Sequence, residues 1–243
     1  MSGRPADLTF RQLEPEILDG LAEDDPRAIA SRRDLARLNV LMFQPSIMAR
    51  LLRSHMVREP RRILEIGAGD GSFMLTVARR LARRWPAVEL VLLDRRDLVT
   101  ALHRAEFRKI GWQTTTVTTD VFEWTAKAGD ERFDAITVNL FLHHFEDAAL
   151  GCLLAGLAPL APVFVATEPR RATFPLAASR MLWAIGVNDV TTNDAPASVR
   201  AGFTGMELTK LWPEVQGTWT QERRSGLFTH AFAAVAASDQ KLS

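Results

Sequence analysis

Tyrosine is absent from the 243 residues, cysteine occurs once, at Cys152, and the only lysines are Lys109, Lys127, Lys210 and Lys241. Each scarcity excludes something. One cysteine rules out an intrachain disulfide and a zinc cluster built on cysteines. Without tyrosine no Tyr-x-x-x-Lys pair can exist. The positive charge is mostly arginine and the net charge is only +1, which gives no argument for a nucleic-acid or anionic-membrane partner. There is no apolar run near 20 residues and no N-terminal apolar signal stretch, so the expectation is no membrane span and a cytoplasmic location. With 47% hydrophobic and 24% charged residues in 27.1 kDa, the chain suits a globule with a sizeable core: one α/β domain with a modest extension.

What is present is organised around Arg61 to Arg80, RRILEIGAGDGSFMLTVARR. The run Ile63-Leu64-Glu65-Ile66 reads as a buried parallel strand. Gly67-Ala68-Gly69-Asp70-Gly71 follows, and closely spaced glycines allow a tight turn that brings backbone near a ligand, with no Cβ in the way. Phe73, Met74, Val77, Ala78 and Leu81 then recur at helical spacing. Strand, turn and helix make the first unit of a doubly wound α/β sheet, whose ligand crevice lies at the carboxyl end of the strand. A dinucleotide site would read G-x-G-x-x-G/A. Here Ser72 stands at the third glycine, and Glu65 precedes the first, where it would repel a phosphate and welcome an ammonium group.

This E-x-G-x-G-x-G pattern resembles motif I of the class I S-adenosylmethionine-dependent methyltransferases. The resemblance implies that Glu65, Gly67, Gly69 and Gly71 hold S-adenosyl-L-methionine. The second strand, Val88 to Leu93, ends at Asp94, a carboxylate suited to both ribose hydroxyls in this ligand or in NAD. The next helix is expected from Asp97, its cap, to Lys109, and the third strand from Gln113 to Thr118. By the resemblance, Asp120 reaches the adenine amino group and Val121 packs on the ring. The fourth strand, Phe133 to Val138, leads into Asn139-Leu140-Phe141-Leu142-His143-His144-Phe145-Glu146-Asp147. That stretch resembles motif IV of the ubiquinone and menaquinone biosynthesis methyltransferases, where a strand beginning F-D ends in L-H-H-F. It implies that Asn139 and Leu140 line the sulfonium and methyl group, and that His143 or His144 faces the acceptor. Histidine is suited to removing a proton near neutral pH. No Asp-Lys-Asp set of the catechol type is evident, so no metal is expected.

The flanks complete the expectation. Residues 1–60 read as a helical cap. Asp25-Pro26 forms a cap-and-N1 pair, an apolar stripe runs to about Phe43, Gln44-Pro45 breaks it, and a second helix follows. Exposed apolar positions here would suit a homodimer. Residues 61–243 form the cofactor-binding domain, with strand five at Val163 to Pro169 and an insertion at 170–212. In the resembling family such an insertion builds the acceptor pocket. Phe174 to Ile185 reads as a helix and Gly186 to Pro196 as a polar loop, with Phe174, Met181, Trp183 and Phe203 as candidate walls for an aromatic acceptor, and Asn193 and Arg200 as candidate holders of an acceptor oxygen. Two alternating runs, Val215 to Glu222 and Leu227 to Val235, read as a hairpin. The expected fold is therefore a doubly wound, mostly parallel seven-stranded sheet with a C-terminal antiparallel hairpin. The expected function is methyl transfer to a small aromatic or polyketide-like acceptor of secondary metabolism, on oxygen before carbon. An NAD-dependent reductase is disfavoured by Glu65, Ser72, the hairpin and the missing tyrosine; a non-catalytic cofactor-binding protein is the other alternative.

Overall fold

The computed structural model describes residues 8–237. The first seven residues of the expected cap and the last six of the expected domain lie outside the described residues. The chain opens with α1 (Ile17–Gly20), α2 (Pro26–Leu41) and α3 (Gln44–His55). Asp25 accepts a hydrogen bond from the Arg27 amide, with Pro26 at the first helical position, as the cap-and-N1 pair predicts. The alternation then runs β1 (Arg62–Ile66), α4 (Ser72–Leu81), β2 (Val88–Asp94), α5 (Ala101–Lys109), β3 (Trp112–Thr118), α6 (Val121–Lys127), β4 (Ala135–Asn139), α7 (Asp147–Leu157) and β5 (Val163–Pro169). After α8 (Thr173–Ser179), α9 (Asp189–Ala201) and α10 (Glu207–Leu211), the chain ends in β6 (Thr218–Ser225) and β7 (Thr229–Ala236).

The seven strands lie in the order β3-β2-β1-β4-β5-β7-β6, parallel through β5. The last strand enters antiparallel between β5 and β6. This is the expected seven-stranded sheet with its C-terminal hairpin. The two-residue period of the central strands divides the core. Ile63, Val163, Val165, Ala231 and Ala233 face α3 and α4. Leu64, Ile66, Phe164, Ala166 and Phe232 face the opposite layer with α7 and α10. Both faces are covered, which is why the parallel strands read as continuous apolar runs rather than alternating ones.

Three local readings need correction. Asp97 does not cap α5: the Thr100 hydroxyl accepts from the His103 amide, while Asp97 pairs with Arg104. The stretch Phe174 to Ile185 is not one helix, because α8 stops at Ser179 and a separate 3-10 turn covers Leu182–Ile185. The polar stretch expected as a loop at 186–196 is largely helical, since Asn188 caps α9 by accepting from the Thr191 amide. Its polar residues find tertiary partners: Thr191 bonds Ser31, and Asp194 accepts from the amides of Ile17 and Leu18 at 2.9 and 3.0 Å. Polarity there marks a helix face that bonds to the N-terminal segment, not a solvated loop. Among the described residues no helix is long and apolar enough to cross a membrane.

Candidate active site

A cavity of about 680 Å³ opens at the carboxyl ends of β1, β2 and β4. One end is the glycine turn. Gly67, Gly69 and Gly71 all have positive φ, at 70°, 55° and 78°. Gly67 is confined as well: a Cβ there would meet the Phe141 ring at 2.6 Å. Gly67 and Gly69 line the cavity, whereas Gly71 starts α4. Asp94 holds the turn from the tip of β2. Its Oδ2 accepts from the Gly69 amide at 2.8 Å, and its Oδ1 accepts from the Arg96 amide at 3.1 Å. Each carboxylate oxygen keeps acceptor capacity for a further donor from the cavity. Asp120 and the buried Val121 form the next part of the wall, with Asp120 also capping α6 through the Phe122 amide at 2.8 Å.

Glu65 lies one layer beneath this floor, almost fully buried, with the Thr137 hydroxyl donating to it. Burial pushes its carboxyl up to about 8, opposed only by that hydrogen bond. A buried acid in this condition lacks a cation. An amino-acid ammonium group at the adjoining Gly67 and Gly69 would supply one, so the donor set here fits S-adenosylmethionine better than a pyrophosphate. Asn139 and Leu140 do not line the cavity. Asn139 is buried and accepts from the Thr167 hydroxyl at 2.8 Å, and Leu140, at φ 53°, turns the chain so that Phe141 becomes the wall.

The other end of the cavity is the motif IV loop. His143 and His144 fall in a 3-10 turn, Leu142–His144, and both line the cavity. Their environments differ. His143 is buried and its Nδ1 donates to Glu168 Oε2 at 2.7 Å. Glu168 Oε1 accepts from the amides of Phe141 and Leu142 at 3.0 and 2.9 Å. One carboxylate at the end of β5 thus fixes both the loop and the ring. The Nε2 of His143 lies 3.6 Å from Glu16, beyond a hydrogen bond. Burial disfavours the imidazolium, but Glu16 and Glu168 together outweigh it and raise His143 to about 9. His144 is shifted down by burial and by the neighbouring His143 charge.

The roof comes from the N-terminal segment. Leu13 to Glu16, Leu18 and Asp19 line the cavity. Arg11 latches this segment down: it donates to the carbonyls of Ala201, Phe145 and His143 at 2.9, 2.9 and 3.1 Å and pairs with Asp147 at 2.6 Å. Its guanidinium also lies over the Phe203 ring. Arg171, buried at the insertion, donates to the Leu8 carbonyl at 2.9 Å and pairs with Glu207. The insertion itself gives the cavity only Ala197 and Ala201. Trp183 and Asn193 are exposed and off the cavity; Arg200 is half-buried, also off the cavity, and pairs with Glu14 at 2.6 Å. Phe174 and Met181 are exposed, and Phe203 is buried in the core under Arg11. The expected acceptor walls therefore lie elsewhere, because small α9 residues let the N-terminal segment close over that side. Glu16, Asp19 and Glu168 were missed. For Glu168 a signal existed, an acid at a strand tip like Asp94; for Glu16 and Asp19 there was none, because the segment has no periodic pattern.

Comparison with known proteins agrees with this geometry. The methyltransferase-domain family matches residues 63–160, from β1 to the turn before β5. An uncharacterized methyltransferase of Mycobacterium tuberculosis is 36% identical over 85 residues, which are 35% of this chain and 38% of that protein. The chain thus spans well under half the length of this curated relative. The plantazolicin methyltransferase BpumL, solved with a pentazolic desmethyl analogue and S-adenosylhomocysteine, superposes with a TM-score of 0.63 at 15% identity, covering 88% of this chain and 92% of that one. An O-methyltransferase family protein from Burkholderia thailandensis gives 0.56 at 16% identity over 88% of this chain and 60% of that one. At these identities the structural likeness establishes the fold alone. The sheet order and the glycine turn belong with the sequence match across β1 to α7: this stretch, less than half of the chain, is similar to the methyltransferase domain.

Proposed function

We propose that the protein transfers a methyl group to a hydroxyl of a small, aromatic or polyketide-like acceptor, with His143 as the general base. What supports the reading is one observation: a single cavity runs from Asp94 and the glycine turn to the open Nε2 of His143. S-adenosylmethionine, when bound, would supply an electrophilic methyl on a sulfonium. Gly67, Gly69 and Asp94 would hold its amino-acid and ribose parts, with Asp120 and Val121 at the adenine. The chain's own contribution is alignment and proton removal. Alignment of reactants is worth on the order of 7–11 kcal/mol. Because Nδ1–H is committed to Glu168, Nε2 is the nitrogen that takes the acceptor's hydroxyl proton once the ring has lost its own, so turnover should rise with pH toward about 9. Glu168 then steadies the resulting imidazolium. Glu16 faces the same nitrogen and would meet the acceptor from the roof. The cytoplasmic location and the division into a cap of residues 1–60 and a domain of residues 61–243 belong to the same proposal.

The test is turnover of methyl-labelled S-adenosylmethionine against phenols, hydroxyquinones and small polyketides, read by mass spectrometry. A labelled O-methyl product is expected. His143→Ala should slow its formation by roughly 10²–10⁴-fold, and Glu168→Gln should lower kcat with S-adenosylhomocysteine binding retained. If His143→Ala turns over normally, the base assignment is wrong.

A further inference from the structure

We propose that Glu16, His143 and His144 also form a binding site for a zinc-class divalent ion, and that its occupation blocks the acceptor end of the cavity. The inhibitory part rests on the reading of His143 as the base. Each of the three residues offers one ligand atom, and the three atoms lie within 4.8 Å of one another. His143 Nε2 and Glu16 Oε1 are 3.6 Å apart. That is too long for a hydrogen bond and close to the roughly 3.4 Å between neighbouring donors in a tetrahedral site with bonds of about 2.1 Å. The outer support is already built: His143 gives its Nδ1–H to Glu168, the carboxylate–histidine arrangement that orients a metal-binding ring. The Ser198 hydroxyl donates to Glu16 and holds that ligand in place. Asp19 lies 3.7 Å from His144 Nδ1 and is the nearest further carboxylate. All three ligands face the cavity, so water or an acceptor oxygen can complete the coordination.

The expectation of no metal considered only an oxygen-ligated magnesium set. Two imidazoles with one carboxylate select a different class, favouring zinc, cobalt or copper over magnesium. An ion here takes the Nε2 lone pair and so removes the base. It also ties the roof, through Glu16, to the motif IV loop. Glu16 is far in sequence from the adjacent His143 and His144, so the site exists only with the N-terminal segment closed.

The experiment is titration of the whole, chelator-treated chain with Co²⁺, followed by visible absorption, and with Zn²⁺, followed by calorimetry. One Co²⁺ per chain with a low-symmetry, four- or five-coordinate spectrum is expected. Glu16→Gln and His144→Ala should each weaken binding tenfold or more while leaving S-adenosylhomocysteine affinity unchanged, which shows that the variants are folded. Zn²⁺ should inhibit methyl transfer, and a chelator should restore it. No Co²⁺ uptake, or equal uptake by both variants, overturns the site. The spectrum does not depend on turnover, so failure of the base assignment in chelated enzyme and failure of the metal site are separate results.

Discussion

Two carboxylates that both stand at strand ends do unlike work. Asp94 is tied to two backbone amides and keeps acceptor capacity toward the cavity. Glu65 is buried with one hydroxyl, and that burial raises its proton affinity to about 8. The sign of the consequence is fixed. The folded chain holds this proton where the unfolded chain has released it, so the contribution of Glu65 to stability falls as pH rises through the interval up to about 8. Pairing with an ammonium group reverses the preference and expels the proton. S-adenosylhomocysteine affinity should therefore rise with pH toward about 8 and level off there. Glu65→Gln should bind tenfold or more weaker at the upper pH and lose the dependence; calorimetry across that range checks both. A flat wild-type profile would mean that the ammonium group sits elsewhere.

The N-terminal segment is the element with the most to lose from a single change. It packs few apolar side chains and is held by Arg11, Arg171 and the Asp194 carboxylate, which supplies acceptors for the first amides of α1. Because α1 is a single turn, it cannot persist by helix propensity alone. Arg11→Ala removes donors to three carbonyls that are otherwise covered by the segment. Local opening should become cheaper by about 1.4 kcal/mol or more, a tenfold rise in amide exchange. Hydrogen exchange of residues 11–20 should show it, with exchange in β1 and β4 unchanged. Equal acceleration throughout would mean that Arg11 supports the whole fold rather than the roof.

At the scale of the molecule, ligand binding and folding are linked through the sheet. The cavity is assembled from the ends of β1, β2 and β4 and from the loop after β3, all held in register by parallel ladders. A ligand that needs those strand ends binds the native state only, so saturation at 100 times Kd should stabilise by about 2.7 kcal/mol. S-adenosylhomocysteine should raise the Tm of the wild type by several degrees and that of Asp94→Ala far less at the same concentration. An equal shift in both would place the ligand away from β2.

The sheet was legible because its cause is local. Apolar runs of strand length, glycine turns and a terminal pair of alternating runs each carry their own pattern, and parallel βα units assemble in few ways. The glycine turn, Asp94, Asp120 and the two histidines were legible for the same reason, since each sits at a strand end whose position the alternation sets. The roof was not. Glu16 meets His143, and Arg11 meets Asp147, only after the chain has gone round the whole sheet. The helical nature of 189–201 was hidden too, because its polar residues are satisfied by distant partners that no window of sequence contains. What the sequence alone determined was the scaffold and the floor of the cavity. Which histidine is held by Glu168, which side of the cavity is closed and by what were decided by long-range contacts, whose energy depends on tertiary proximity rather than on neighbours along the chain.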